Sequence, residues 1–157
     1  MNINFRTCLI MALLLVVALN ACGPAGQDSG QQAEARPAQP VFSGAWIRAL
    51  PPGMKMTAGF GTLQNETAGD ITLVGFSSPA FGDVSLHRTE RVDGVSRMRE
   101  VKHLSLAAGE SVELAPGGYH LMLMMPAGPI EPGQSVAIRM HAEDGRSFHF
   151  EIPVERR

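Results

Sequence analysis

Between Val41 and Val154 apolar side chains recur at alternate positions or in short runs, and no stretch holds the three-and-four spacing of an amphipathic helix. The pattern predicts nine strands: Phe42 to Ile47, Gly59 to Leu63, Ile71 to Phe76, Val84 to Thr89, Arg97 to Val101, Ser111 to Leu114, His120 to Met125, Ser135 to His141 and Ser147 to Val154. Between them sit turn formers such as Pro51-Pro52-Gly53, Asp93-Gly94, Pro116-Gly117-Gly118 and Glu143-Asp144-Gly145. Asp93-Gly94 and Asp144-Gly145 predict tight hairpins, because Gly tolerates the positive φ that such turns require. Short strands with turns at intervals of about 8 to 12 residues predict an all-β chain folded as an antiparallel β-sandwich.

The chain ahead of Val41 has a different character. Residues 2–7 are a short polar segment carrying Arg6, and Cys8 to Leu19 is an almost unbroken apolar run. That run is too short for a hydrocarbon core needing about 20 residues, and it has the proportions of a signal-peptide core. Leu19-Asn20-Ala21-Cys22 resembles a bacterial lipobox, in which the cysteine is lipidated and becomes the new N-terminus. Residues 1–21 are therefore expected to be a lipoprotein signal peptide and Cys22 the lipidation site, with an ordinary secretory signal cut nearby as the alternative. Gly23 to Pro40 has no aromatic and no aliphatic side chain larger than alanine. It cannot bury enough apolar surface to offset its chain entropy, so residues 22–40 read as a flexible tether with a span of roughly 20 to 25 Å. Residues 41–157 form the expected folded domain, and the exported location is periplasmic or otherwise extracytoplasmic, with membrane contact through the lipid.

Charge and composition narrow the function. Thirteen Lys and Arg against fifteen Asp and Glu give a formal charge of −2, without the basic excess that a nucleic-acid binder uses to displace counterions. Two Cys cannot build a disulfide framework or a four-thiolate zinc site. The chain lacks a G-x-S-x-G elbow, an H-E-x-x-H zinc helix and a phosphate-binding Gly-rich loop. Glu110, Glu113, Glu143 and Asp144 sit in or beside turns, where solvated charges collect. Nothing marks an enzyme. The skew lies in sulfur: nine Met accompany one Trp and one Tyr.

Strand geometry puts His120 and Met122 on one face of a strand, with Leu121 and Leu123 on the other. Cα atoms two residues apart along a strand are roughly 6.5 to 7 Å apart, close enough for His and Met to share one ion. His87 lies on the polar face formed with Ser85 and Thr89, and Met98 sits between Arg97 and Arg99. A lone strand histidine or methionine is ordinarily surface or packing, so the case rests on their joint spacing. His87, Met98, His120 and Met122 follow H-x10-M-x21-H-x-M. Met54 and Met56 are candidates for an outer ring of thioethers, whereas His103, Met140, His141 and His149 read as packing or surface.

This spacing resembles the metal motif of the periplasmic copper chaperone family PCu(A)C. The resemblance extends over residues 44–154, through Ala45-Trp46-Ile47-Arg48-Ala49, Ala58-Gly59-Phe60, Leu63-Gln64-Asn65 and Pro116-Gly117-Gly118-Tyr119-His120-Leu121-Met122-Leu123. Arg88 departs from it, standing where many relatives have Met, and a His/Met-rich C-terminal tail is not seen. The resemblance implies a cupredoxin-like Greek-key β-sandwich binding Cu(I) through His87, Met98, His120 and Met122. It also implies delivery to the dicopper centre of cytochrome c oxidase subunit II, alongside thiol-bearing assembly factors.

Chemistry favours that metal. Cu(I) is soft and accepts thioether sulfur, and two thioethers with two imidazoles leave a single positive charge that needs no buried anion. A blue-copper electron carrier would need a thiolate, and Cys22 lies outside the expected domain. Two rivals remain: a copper buffer for tolerance, and a β-sandwich envelope lipoprotein that binds no metal.

Overall fold

The computed structural model describes residues 39–157, so the expected signal peptide, Cys22 and nearly all of the tether lie outside the described residues. Described residues form ten strands and no helix: β1 Val41–Arg48, β2 Met56–Gln64, β3 Ile71–Ser78, β4 Phe81–Val92, β5 Val95–Glu100, β6 Leu104–Leu106, β7 Ser111–Leu114, β8 Tyr119–Pro126, β9 Ser135–Ala142 and β10 Ser147–Glu155. All nine sequence-derived strands are present. The tenth, β6, is three residues long and pairs with β3.

Seven strands follow one another by hydrogen-bonded pairing, β4-β8-β2-β1-β10-β9-β3, and β3 returns to β4, which closes the cupredoxin-like sandwich into a ring. Most pairs are antiparallel, but β1 runs parallel to β10, and β7 meets β8 in parallel at Leu114 and Tyr119. These two pairings depart from a purely antiparallel sandwich. The first brings the two ends of the domain side by side, and Ile47 sits opposite Val154.

Inside the ring, alternate residues make one core. Ile47, Leu63, Leu73, Leu86, Leu121, Leu123, Ile138, Met140 and Ile152 are all essentially inaccessible. The aliphatic side chains of β4 and β8 face inward, so their intervening polar and sulfur-bearing residues face outward.

Local chemistry explains where the chain bends. Met54 N–H donates to the Pro51 carbonyl at 3.2 Å, and Gly53 has φ +84°, a turn in which Pro52 fixes the first central residue and glycine supplies the second. In the β4–β5 hairpin both Asp93 and Gly94 have positive φ, +53° and +78°, as a two-residue hairpin turn demands. Gly61 is needed for another reason. A Cβ there would lie 2.7 Å from Ala45 Cα, where β1 bulges between Ser43 and Trp46.

Asn65 is fully buried at the end of β2 and acts as a staple. Its amide donates to the carbonyls of Gly69, Leu106 and Ala107 at 2.8, 3.0 and 3.2 Å, and its Oδ1 accepts from Thr67 N–H and Oγ1. The loop after β2 is thereby tied to the end of β6.

Candidate metal centre

Strand pairing brings His87 and His120 together across 33 positions of sequence. β4 lies between β5 and β8, and His87 is the direct partner of His120 on β8 and of Glu100 on β5. Met122 stands opposite Ser85, and Met98 stands opposite Thr89. Directly opposed residues in an antiparallel ladder point to the same face. Ser85, His87 and Thr89 alternate with the buried Val84 and Leu86, so all four expected donors project from the outer side of the sheet.

The histidines form the middle of this array. Their ring centroids are 6.0 Å apart with planes inclined by 34°. His120 is only 5% exposed although it lies on the outer face. Phe60 follows Gly59, the partner of Leu121, and therefore flanks His120 from the β2 side. Phe60 in turn packs on Trp46 at 4.8 Å between ring centroids, with Arg48 over both rings. These aromatic rings lie on the β2 side of the pair, and the β5 side is open: every residue of β5 is exposed, Met98 by 50%.

Hydrogen bonds assign the ring nitrogens. His120 Nδ1 is 3.1 Å from the Gly118 carbonyl. A carbonyl only accepts, so Nδ1 carries the proton and Nε2 of the neutral ring keeps its lone pair. Ser85 Oγ donates to Asp83 Oδ2 at 3.4 Å and lies 3.1 Å from His87 Nε2. With the serine proton directed at the carboxylate, Ser85 Oγ accepts from His87 Nε2–H, and the lone pair falls on Nδ1. That nitrogen is buried and has no hydrogen-bond partner. A buried, unpartnered imidazole nitrogen is costly unless it has a task, and coordination supplies one.

Burial lowers the His87 pKa from its ordinary 6.5, and the neighbouring His120 lowers it further, against smaller opposing pulls from Glu100 and Asp83. The site therefore favours a neutral imidazole, the form that binds metal.

The thioethers approach from opposite ends. Met122 and Met98 are each one diagonal step from His87, a separation of about 7 to 8 Å at Cα that long side chains span. They lie on opposite sides of it, at the levels of Ser85 and Thr89, so on a flat sheet four residues, or about 13 Å, separate them along β4. For both sulfurs to reach one ion, the β4–β5 ribbon must curl over the histidine pair. Its open edge leaves room for that movement. Among the described residues no group of three or more His, Cys, Asp or Glu converges as a metal cluster, so a centre here must draw on sulfur.

Several neighbours escaped the sequence reading. Asp83 shares the face of His87 and Ser85 at two-residue intervals, and Ser85, placed on that face by the sequence, was given no role there; Glu100 joins the site only through strand pairing. Arg88, the departure from the motif, lies opposite Tyr119 on the alternate face and covers its ring at 5.1 Å. It is not on the donor face. His141 has both ring nitrogens bound, to Ser77 and Ser147, and Met140 is core.

Comparison with known proteins agrees with this architecture. A family model described as "LpqE-like: Putative lipoprotein LpqE-like" matches residues 41–154. "Putative lipoprotein Lxx21020" of Leifsonia xyli subsp. xyli (strain CTCB07) is 35% identical over 155 residues, covering 96% of this chain and 89% of that protein. The solution structure of CuI-DR1885 from Deinococcus radiodurans is 34% identical and superposes with a TM-score of 0.59, covering 85% of this chain and 87% of that one. The copper-bound PCuAC domain from PmoF2 shares the fold at 20% identity and a TM-score of 0.58, over 72% of this chain and 89% of that domain. With its all-β ring and its His/Met face described, the chain belongs to the LpqE-like family and is of PCuAC type.

Proposed function

We propose that this protein is an exported, lipid-anchored Cu(I) metallochaperone, with His87, Met98, His120 and Met122 as its ligands and copper as its cargo. The observation that carries the reading is the paired, unprotonated nitrogens of His87 and His120 on one sheet face, with a thioether diagonal to His87 on either side. The Cu(I) form of its Deinococcus relative supports the choice of metal, and the lipoprotein naming of its Leifsonia relative supports an extracytoplasmic, membrane-tethered location.

The donor set suits carriage. Imidazole and thioether are neutral ligands that hold Cu(I) less firmly than thiolates and resist the oxidation that would remove thiols outside the cytoplasm. The aromatic residues lie on the β2 side at the level of His120, and copper is left open along the exposed β5 and at the Met122 end of the donor row. Transfer proceeds there by ligand exchange, each donor leaving as one from the acceptor arrives, with no change in oxidation state. The acceptor proposed is the dicopper centre of cytochrome c oxidase subunit II, reached with thiol-bearing assembly factors.

Titration of the full chain with Cu(I) under reducing conditions, in competition with a chromophoric chelator, tests the reading. One equivalent should bind, and Met98→Leu or His120→Ala should weaken binding at least tenfold. Unchanged affinity in both variants overturns it. Deleting the gene separates delivery from buffering: delivery requires loss of oxidase activity at low copper, and buffering requires loss of survival at high copper.

A further inference from the structure

Methionine is distributed here against its usual role as core filler. Of the seven Met in the described residues only Met140 is fully buried, and Met54, Met56, Met98 and Met125 are 55, 48, 50 and 59% exposed. Met98 belongs to the centre already described; of the other three, Met56 lies on the strand that pairs with β8, the strand of Met122.

Met56 on β2 is the direct partner of Met124 on β8, and Met124 is the direct partner of Asp83 on β4. Met56, Met124 and Asp83 therefore form one transverse row. The next row along the same face is Ala58, Met122 and Ser85, and the row after that contains His120 and His87. Met124 thus stands two residues from the ligand Met122 on the same face, about 6.5 to 7 Å away at Cα.

Directly opposed strand residues have Cβ atoms about 4.5 to 5.5 Å apart. Two unbranched thioether arms of this kind can close on one soft ion between them. Asp83 contributes a negative field rather than a bond, because a carboxylate is a hard donor and its Oδ2 already accepts from Ser85.

We propose that Met56 and Met124 form a second, weaker site for a soft monovalent cation, beside the four-donor centre and continuous with it through Met122. The inference rests on the copper reading above and extends it: the pair is the port through which the ion enters and leaves. An ion held by Met56 and Met124 passes inward when Met122 binds as Met56 departs, one sulfur bond forming as another breaks. The charge on the ion stays at one throughout.

Ag(I), a redox-inert ion of the same charge and softness, tests the proposal on the full chain carrying 13C-methyl methionine. The first equivalent should shift the methyl signals of Met98 and Met122, and the second should shift those of Met56 and Met124. A Met56→Leu, Met124→Leu double variant should keep the first response and lose the second. If the Met56 and Met124 signals stay fixed through three equivalents while Met98 and Met122 respond, the second site is overturned and the chaperone reading stands. If Met98 and Met122 fail to respond, the four-donor centre is overturned. A Met56 and Met124 shift that persists in His120→Ala would support the second site independently.

Discussion

His87 Nε2 and Ser85 Oγ lie 3.1 Å apart on the same face of β4, and this contact leaves the lone pair of the neutral His87 ring on its buried, unpartnered Nδ1.

Ser85→Ala should leave the ring free to rotate and to exchange its tautomer. Outer hydrogen-bond partners of metal-binding histidines are commonly worth 10- to 100-fold in affinity. We expect a Cu(I) affinity lowered about tenfold in chelator competition, with an unchanged far-UV spectrum. Equal affinity in the two proteins would refute the role given to this serine.

Acidity should act through the same ring. Burial, then His120, depress the His87 pKa below 6.5, so the folded protein resists protonation at pH values where the unfolded chain accepts it. The contribution to stability is whole above 6.5 and is lost as pH falls through the folded value. Copper binding, which needs the neutral ring, should weaken over that same window below 6.5. Following the His87 ring proton by NMR should give a midpoint under 6.5 in the apo protein, and Glu100→Gln should move it lower still, because Glu100 opposes the depression. A midpoint above 6.5 contradicts the burial argument.

Metal should also move the β4–β5 ribbon. The level of Met98, beyond His87 from Met122, requires this exposed hairpin to bend before both sulfurs coordinate. Amide hydrogen exchange over residues 89–100 should slow on adding Cu(I), and Met98→Leu should abolish most of that slowing while His120 still responds. Equal exchange rates in apo and loaded protein would mean that Met98 is not drawn in.

Two substitutions test the scaffold away from the metal. Asn65→Ala removes five hydrogen bonds from a buried turn, three to the carbonyls of Gly69, Leu106 and Ala107 and two from Thr67, and should cost about 2 to 4 kcal/mol in denaturant unfolding. Gly61→Ala places a Cβ against Ala45 backbone at a φ of +144° and should cost at least about 1 kcal/mol, and more if β1 cannot shift. Neither should alter Cu(I) affinity in the protein that remains folded.

Alternation of residue character revealed nearly all the strands, because one side of each must be apolar to meet the core. Leu104 to Leu106 was missed, since three residues carry too little pattern to separate a strand from a loop. The parallel pairing of β1 with β10 could not be read either: it joins segments about a hundred residues apart, and alternation says which side faces in but not which strand lies alongside. The same division holds at the metal centre. The donor types and the shared face of His120 and Met122 were legible locally, whereas the opposition of His87 to Glu100, the level of Phe60 on β2 and the placement of Met98 all depend on register.

The ring has one exposed ribbon, and its outermost strand sets Met98 between two arginines, Arg97 and Arg99. A bare strand edge ordinarily invites pairing with another chain, and repelling cations along it discourage a second copy from docking there. Copies of the chain would thus leave this hairpin unpaired and free for a dissimilar recipient whose complementary charge tolerates the arginines.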